Sequence, residues 1–297
     1  MKIAILYDVV GWAYHSEALG LQKFLKKNRP KVKVDLFSYP FFYGKLDRKE
    51  KNSYDCVLLY PRQAKNVTFR AKKTAVRFSS FGDYSGQAKL NTDNFGYFIC
   101  MNKQIEHLAK KLLPKKKDKI GHIPVAVDVE LFHNTGRRNA KKLNVGFCGN
   151  NGRKDKGFDL ILDSMENLKD KVNFKKALYK RGHRIERDEM YKFYNQLDLI
   201  VCMSGKEGGP LPPFEGGACG VPTVSACSKS AINEIIIDNF NGFVIDRDSK
   251  SLTSKILEIH NNRELLKICS ENIEKTIIEN HSWSKIWSDY YNVFQKL

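Results

Sequence analysis

Two glutamates, Glu207 and Glu215, stand eight positions apart around a segment rich in glycine and proline. The segment follows the apolar run 198–203, which is typical of a buried strand. A short helix is expected from about Pro212 or Pro213, since proline is favoured in the first turn of a helix. We therefore expect Glu207 in the loop before this helix and Glu215 in its first turn, where a negative charge suits the helix dipole.

The loop between the two carboxylates has the composition of an anion-binding site. Gly208 and Gly209 allow backbone amides to approach a ligand closely, and Pro210 and Leu211 lead into the helix. The start of the helix adds unpaired N–H groups and the positive end of a dipole. Open α/β sheets bind ligands at the carboxyl ends of parallel strands. The segment 208–211 therefore predicts a cradle for a diphosphate.

A carboxylate beside a diphosphate is repelled by it and needs another partner. Sugar hydroxyls donate hydrogen bonds to carboxylates. The spacing of the two glutamates would allow one carboxylate to bind a hexose and the other to bind a ribose. The simpler alternative is that Glu215 only stabilises the start of the helix and Glu207 is a solvated loop residue. For a lone glutamate that alternative would be favoured, whereas the whole constellation favours binding.

This segment resembles a block of the retaining glycosyltransferases with the GT-B fold, the large family usually called family 4 or group 1. The chain reads Glu207-Gly-Gly-Pro-Leu-Pro-Pro-Phe-Glu215-Gly-Gly-Ala-Cys-Gly-Val-Pro, and the family's two glutamates fall on Glu207 and Glu215. Lys156-Gly157-Phe158-Asp159 resembles the family's lysine-glycine phosphate-binding turn. Other matching blocks are 123–132, 188–201, Glu234, Asn241-Gly242 and His281-Ser-Trp283.

The resemblance implies an α/β chain of the GT-B type, with two Rossmann-like domains facing each other across a cleft. It implies that a nucleotide-sugar such as a UDP- or GDP-sugar binds the second domain, with Glu207 orienting the sugar and Glu215 holding the ribose. Lys156 and the amides of 208–211 would stabilise the departing diphosphate. No DxD-like pair of carboxylates follows a strand, so no obligatory metal and no other cofactor is expected. Retention of anomeric configuration is implied by the resemblance alone.

The second half departs from the family pattern in two places. The family carries an arginine shortly before the phosphate-binding lysine, where this chain has Asn150 and Asn151. Arg153 is displaced from that position and is our candidate for a second cation on the phosphates. In addition, Gly209-Pro210 stands where the family commonly has a glycine followed by a leucine.

The first half offers fewer recognisable residues. Its first strand runs into a loop with a single glycine, Gly11, where the family has a Gly-rich loop over the donor phosphates. The family's cleft histidine has no clear counterpart. Asp83 stands in the region where it is sought and is our catalytic candidate there, with His15 as a second. Arg62 follows a predicted strand end and is a candidate for contact with phosphate or acceptor.

Apolar runs alternate with amphipathic stretches along the chain, which predicts parallel sheets covered by helices. In the first half we predict strands at 2–8, 32–38, 55–60, 74–79 and 96–100 and helices at 13–28, 62–71 and 103–113. In the second half we predict strands at 143–148, 172–176, 198–203, 222–225 and 242–245 and helices at 157–168, 187–196, 213–219, 249–279 and 283–296. The predicted parts are a first domain, 1–122, a linker, 123–142, a nucleotide-sugar-binding domain, 143–280, and a last helix, 281–297, that packs back towards the first domain.

The net charge of +18 is concentrated in the first half of the chain. Residues 1–150 hold 29 Lys and Arg against 12 Asp and Glu, whereas residues 151–297 hold 22 against 21. A genome rich in A and T favours lysine but would act on both halves alike. The asymmetry therefore favours a polyanionic partner at the first domain, either an anionic membrane surface or nucleic acid.

The cysteines and the apolar runs indicate the kind of protein and where it is located. The seven cysteines form no CxxC pair, so buried reduced thiols are expected rather than disulfides or zinc. No apolar run reaches the roughly 18 residues that span a bilayer, and no signal-peptide pattern is present. We expect the protein to be located in the cytoplasm, with peripheral binding at the inner face of the membrane if the acceptor is there.

A cell-envelope glycan or lipid-linked acceptor is favoured over modified DNA bases. A nucleotide-sugar epimerase and a non-catalytic nucleic-acid-binding protein are the competing functions.

Overall fold

The described strands lie in two parallel sheets, one in each of two units of the chain. The computed structural model describes residues 1–11, 13–60, 73–79, 95–136, 141–178, 185–205, 207–226 and 231–297, except the side chains of Tyr43, Ala231 and Asn233. The first unit consists of Met1–Ala126 and Trp283–Leu297, and the second of Val127–Ser282. The chain thus passes between the units at 126/127, inside the segment 123–142, and again at 282/283.

The sheet of the first unit has six strands in the order β2-β1-β3-β4-β5-β6. Its strands are β1 (Lys2–Tyr7), β2 (Lys33–Ser38), β3 (Cys56–Leu59), β4 (Thr74–Phe78), β5 (Tyr97–Cys100) and β6 (Ile120–His122). The helices between them are α1 (Ala13–Asn28), α2 (Tyr39–Gly44), α3 (Arg48–Asn52) and α4 (Lys103–Leu112), followed by a 3-10 segment at Pro114–Lys119.

Strand β1 shows why the first sheet is buried on both faces. Ile3 and Ile5 point into one apolar cluster, and Ala4 and Leu6 point into another. Successive side chains of a strand point to opposite faces, so a continuous apolar run fits a strand covered on both sides. The predicted α/β layering follows from this pattern.

The sheet of the second unit has five strands in the order β11-β10-β9-β7-β8. Its strands are β7 (Leu143–Gly149), β8 (Val172–Leu178), β9 (Leu199–Cys202), β10 (Thr223–Ser225) and β11 (Phe243–Val244). Its helices are α5 (Phe158–Asn167), α6 (Met190–Tyr194), α7 (Leu211–Ala218), α8 (Ser249–Asn261) and α9 (Arg263–His281), with 3-10 turns at Lys154–Lys156, Arg187–Glu189 and Ala231–Glu234.

The last helix, α10 (Trp283–Lys296), belongs to the first unit, where it packs on α1. A Cβ atom on Gly20 of α1 would lie 2.0 Å from Nε1 of Trp283. The indole ring therefore occupies the space that any larger residue at position 20 would need. This close contact fixes α10 against α1.

The structure differs from the predicted elements in a few places. The three-residue β6 and the short helices α2 and α3 were not predicted, because so few residues show no clear periodicity. The predicted helix 249–279 is two helices, since the side chain of Asn262 accepts a hydrogen bond from the Leu265 amide at 3.1 Å and begins α9. The predicted helix 62–71 lies outside the described residues.

No helix in the described part of the chain is both long enough and apolar enough to cross a membrane.

Candidate functional site

The site begins at a tight turn after β7. Lys156 is the last residue of the 3-10 turn Lys154–Lys156, and Gly157 follows in the left-handed conformation with φ of +65°. A Cβ atom on Gly157 would lie 2.6 Å from the carbonyl oxygen of Met203, just after β9. Glycine is therefore required here both by the backbone angle and by the approach of the neighbouring loop.

Backbone and side-chain hydrogen bonds join this turn to the loop after β9. The amide of Gly205 donates to the carbonyl oxygen of Asp155 at 2.9 Å. Arg247, which follows β11, donates from Nε to the Met203 carbonyl at 2.8 Å and from Nη2 to the Asp155 carbonyl at 3.3 Å. These contacts hold the carboxyl ends of β7, β9 and β11 together around the turn.

The two predicted site residues Lys156 and Glu207 meet across these loops. The amino group of Lys156 forms an ion pair with a carboxylate oxygen of Glu207. The side chains are 16% and 12% exposed, so the pair is largely, but not wholly, removed from solvent. Partial burial strengthens the attraction relative to a surface pair and leaves an approach for a ligand.

Arg153, the proposed second cation, lies on the same turn but has a different partner. Its guanidinium forms an ion pair with Asp155, and both side chains are about half exposed. The hydrogen bond from Arg153 lowers the pKa of Asp155 below its ordinary value. Arg153 therefore stands at the rim of the turn, with its charge already balanced by a neighbour.

The amide cradle is smaller than predicted. Pro210 has no N–H, so the segment 208–211 offers the amides of Gly208, Gly209 and Leu211 only. Helix α7 begins at Leu211, after Pro210, and its next two residues are also prolines without an N–H. Gly208 is buried, while Gly209, Pro210 and Leu211 are half-buried.

Glu215 occupies a position different from the predicted one. Since α7 begins at Leu211 rather than at Pro212 or Pro213, Glu215 is the fifth residue of the helix and lies in its second turn. Its side chain is 4% exposed. The carboxylate therefore does not act on the start of the helix and points into the interior of the second unit.

Two residues that the sequence did not single out hold the Glu215 carboxylate. Arg187 forms an ion pair with one oxygen, and the hydroxyl of Tyr194 donates to the other at 2.9 Å. Arg187 is 25% exposed, so it forms the outer side of this pair. Its guanidinium also lies 5.1 Å from the centre of the Phe132 ring.

The Tyr194 side of Glu215 is shielded from water, since Tyr194 is fully buried. Burial, with the Glu215 charge as a second cause, raises the pKa of Cys148 to about 12. Burial also raises the pKa of Tyr194 well above its ordinary value, so Tyr194 donates as a neutral phenol. Cys148 is thus a protonated thiol beside the acid, 3.9 Å from the Tyr194 hydroxyl, and is unsuited to act as a nucleophile.

Two glycines that follow Glu215 set the position of α7. A Cβ atom on Gly216 would lie 2.0 Å from Cδ1 of Ile200 in β9, and one on Gly217 would lie 2.9 Å from Cγ1 of Ile277 in α9. The helix is therefore held close to the sheet on one side and to α9 on the other. This packing fixes the position of the helix that carries Glu215.

The later blocks of the family resemblance have structural partners. Asn241 is fully buried and bonds the Ile237 amide at 2.7 Å and the Ile235 carbonyl at 2.7 Å, which closes the loop before β11. His281 packs edge-on against Phe214 of α7, with ring centres 5.1 Å apart. These two residues stabilise the loops and the helix around the site.

The candidates of the first half lie in the first unit or outside the described residues. Gly11 has φ of +75°, as a tight turn after β1 requires, and its amide donates to Nδ1 of His15 at 3.0 Å. The His15 ring lies 4.5 Å from that of Tyr7. Asp83 and Arg62 lie outside the described residues, so their roles stay predictions.

The second unit thus carries the ion pair of Lys156 and Glu207, a buried carboxylate with its partly exposed arginine partner, and three amides. This set can accept hydrogen bonds from hydroxyls and offer positive charge to an anion. Among the described residues, no group of three or more His, Cys, Asp and Glu side chains is arranged to hold a metal ion. Arg187, Tyr194 and Arg247 escaped the sequence analysis because their partners are distant along the chain.

Residues 178–276 match the model of a family described as glycosyl transferases group 1. An uncharacterized glycosyltransferase of Methanocaldococcus jannaschii is 28% identical over 229 residues, which cover 70% of this chain and 62% of that protein. The predicted likeness to the group 1 glycosyltransferases is confirmed. The chain spans less than two thirds of the length of this relative.

Solved structures show the fold of this chain. Sucrose-phosphate synthase from Thermosynechococcus elongatus superposes with a TM-score of 0.76 at 14% identity, covering 99% of this chain and 98% of that one. Anabaena HepE in complex with UDP-glucose gives a TM-score of 0.76 at 14% identity, covering 100% of both chains. The predicted fold class, α/β with two Rossmann-like domains of the GT-B type, is confirmed.

Proposed function

We propose that this protein is a retaining glycosyltransferase that moves a sugar from a nucleotide-sugar to an acceptor. The observation that supports this most directly is the ion pair of Lys156 with Glu207 beside the Gly208 and Gly209 amides. A lysine and amides suit a diphosphate, and a carboxylate suits sugar hydroxyls. A nucleotide-sugar would contact the lysine and amides with its diphosphate and the carboxylate with its sugar.

The chemistry of the proposed reaction places charge on the leaving diphosphate. As the bond from the sugar C1 to the phosphate oxygen breaks, the diphosphate gains negative charge. Lys156 and the amides of Gly208, Gly209 and Leu211 would stabilise that charge more strongly in the transition state than in the bound donor. Because side chains and amides supply this positive charge, we propose that no metal is obligatory, which activity in a chelator would test.

The two carboxylates have separate proposed roles. Glu207 would leave Lys156 to the phosphate and accept hydrogen bonds from the sugar hydroxyls, which fixes C1 towards the acceptor. Glu215 is 4% exposed and held by Arg187 and Tyr194, so it would bind the ribose after Arg187, the more exposed partner, had moved aside. Arg153 would add a second cation if it exchanged Asp155 for a phosphate oxygen. Asp83 and Gly11 remain our candidates for the first domain.

The donor and the acceptor are proposed by class. HepE was solved with UDP and with UDP-glucose, which makes a UDP-sugar the first donor to test, ahead of a GDP-sugar. For the acceptor we propose a cell-envelope glycan or lipid-linked glycan, with an anionic acceptor or surface at the first domain. Transfer to DNA bases is the alternative that the same basic domain would serve.

The first experiment is a thermal-shift screen with UDP-, GDP-, ADP- and CMP-sugars. A donor at about 100 times its Kd stabilises the folded protein by about 2.7 kcal/mol, which raises Tm measurably. Lys156→Ala and Glu207→Ala should abolish the shift and the transfer or hydrolysis of the donor. Lys154→Ala, which removes an exposed lysine two positions away, should change neither.

Two results would contradict the proposed function. Normal turnover in both Lys156→Ala and Glu207→Ala would remove these residues from the site. Conversion of the donor into an isomeric nucleotide-sugar without any acceptor, followed by NMR, would indicate an epimerase instead.

A further inference from the structure

Three segments of the first unit that lead into its strands are strongly basic. They are residues 26–33, which end at the first residue of β2, residues 48–55 before β3 and residues 110–119 before β6. Together they hold fourteen Lys and Arg against three Asp and Glu. Eleven of the fourteen cationic residues are exposed. We call these three segments the basic edge.

The segments lie at one edge of the sheet because all of its strands are parallel. The Lys33 amide donates to the Met1 carbonyl at 2.9 Å, and the Lys2 amide donates to the Asp55 carboxylate at 2.7 Å. These bonds join the starts of β1, β2 and β3. The third segment precedes β6, the last strand of the order, so the charge extends over roughly 24 Å at about 4.8 Å per strand.

The opposite, carboxyl edge of this sheet has few cations among its described residues. The described segments that follow the strands are 8–11, 13–15, 39–44, 60, 79, 101–104 and 123–126, and Lys103 is their only Lys or Arg. Parallel sheets bind their small ligands at the carboxyl edge. Among the described residues, the basic edge therefore lies at the opposite ends of the strands from the edge where a small ligand of this sheet would bind.

We propose that the basic edge docks the protein on a lipid bilayer that contains anionic lipids. Twelve of its fourteen cationic residues are lysines, compact charges on long stems that are attracted to a diffuse negative surface. Leu112 is 50% exposed beside Lys111, and an apolar side chain among lysines suits insertion at the membrane interface. An open depression of about 620 Å³, lined by Arg48, Lys49, Asn52 and Ser53, could receive a headgroup.

Nucleic acid fits the basic edge less well. Proteins that bind single strands stack bases on exposed aromatic rings, and arginine is preferred over lysine for nucleic-acid recognition. Here Phe24 and Tyr54, beside and within the edge, are each 4% exposed. The Trp287 and Tyr291 rings, which lie against Arg29, are half-buried. Lysine exceeds arginine by twelve to two. The basic edge therefore fits the negatively charged surface of a membrane better than the bases of a nucleic acid.

The test is a flotation assay with phosphatidylcholine vesicles, with and without phosphatidylglycerol, across a salt series. We expect binding to the anionic vesicles only, with a bound fraction that falls as salt rises. The variant Lys115→Glu/Lys116→Glu/Lys117→Glu should lower the partition coefficient about 100-fold, because each lysine near the membrane surface adds to the attraction for anionic lipids. Leu112→Gln should weaken the binding that remains at high salt.

The matched control is Lys169→Glu/Lys267→Glu/Lys275→Glu, which reverses three exposed lysines of the second unit. It should bind the anionic vesicles nearly as well as the unaltered protein. An equal loss in both triple variants, or no binding by the unaltered protein, would overturn the proposal. Tighter binding to duplex or single-stranded DNA than to vesicles at the same salt would assign the edge to nucleic acid instead.

This docking does not depend on the proposed transferase activity. The triple variant of the 3-10 segment should keep the circular dichroism spectrum and the thermal shift with donor, because no altered residue lies in the second unit. Failure of vesicle binding would leave the donor site intact as a proposal. Absence of any donor shift would leave the docking surface untouched.

Discussion

The amino group of Lys156 contacts the carboxylate of Glu207, 51 positions further along the chain. Each of these charges is balanced by the other. A diphosphate that binds Lys156 must therefore compete with Glu207. The sugar hydroxyls must then replace the hydrogen bond that the Glu207 carboxylate has lost. The proposed donor offers both replacements, whereas free phosphate or free sugar offers only one.

The Lys156–Glu207 pair predicts an unequal effect of single and double substitutions on nucleotide binding. Lys156→Met leaves the Glu207 charge uncompensated next to the proposed diphosphate, so the Kd for UDP should rise at least tenfold. Lys156→Met/Glu207→Gln removes that repulsion and should recover part of the affinity. Turnover should fall by about 100-fold or more in both, since a transition-state cation is lost. Calorimetric titration and steady-state kinetics measure these effects.

The Lys156–Glu207 prediction has a control on the same turn. Lys154→Met removes an exposed cation two residues away and should leave both the Kd and the turnover unchanged. Weaker UDP binding in the double variant than in Lys156→Met would contradict the competition between Glu207 and phosphate.

The buried pair of Arg187 and Glu215 predicts a coupled loss of stability. Arg187→Met leaves a carboxylate that is 4% exposed and keeps the hydrogen bond from the Tyr194 hydroxyl, and should lower the free energy of unfolding by about 3 kcal/mol. Arg187→Met/Glu215→Gln removes both charges and should recover most of that loss. Lys192→Met breaks a pair whose side chains are 55% and 50% exposed and should cost under about 0.5 kcal/mol. Urea unfolding measures all three, and additive losses would argue against the pair.

The conformation of Gly157 predicts a strong effect of a single methyl group. Gly157→Ala combines a φ of +65° with a Cβ position 2.6 Å from the Met203 carbonyl oxygen. We expect a loss of about 2–4 kcal/mol in unfolding free energy and displacement of Lys156 from Glu207. Gly152→Ala, in the same loop, meets its nearest neighbour at 3.3 Å without a positive φ, and should be close to neutral. Equal stability of the two variants would refute this geometry.

The environment of His122 predicts a pH dependence of stability. Burial, followed by the charge of Arg77, lowers the pKa of His122 to about 4. Since the unfolded chain binds the proton more readily, stability is full above the ordinary histidine pKa of about 6.5 and falls as pH drops towards 4. His122 is partly exposed, so we expect a loss of roughly 2 kcal/mol over this range.

A variant isolates the contribution of His122. His122→Gln should flatten the fall in unfolding free energy between about pH 6.5 and pH 4. His107→Gln, which replaces an exposed histidine on α4, should keep the fall of the unaltered protein. Parallel pH profiles for the unaltered protein and His122→Gln would show that other groups cause the dependence.

Most of the described fold could be predicted from the sequence. Apolar runs such as 2–8 and 198–203 fix where strands form, because strands buried on both faces must be apolar throughout. The spacing of Glu207 and Glu215 and the turn at Lys156 were likewise visible as residue types in order. The register of α7 was less predictable, since three prolines among residues 210–213 fit the N-cap and first turn equally well.

The sequence by itself determined the α/β class, the carboxylates and lysine of the donor block, and the excess of positive charge in the first half. Only the tertiary structure decided that Arg187 faces Glu215, 28 positions away, and that Arg247 bonds Asp155, 92 positions away. It also decided that the lysines gather at the starts of the strands. Local patterns follow from the periods of helices and strands, whereas contacts between distant segments depend on how the sheets order their strands and leave no periodic trace.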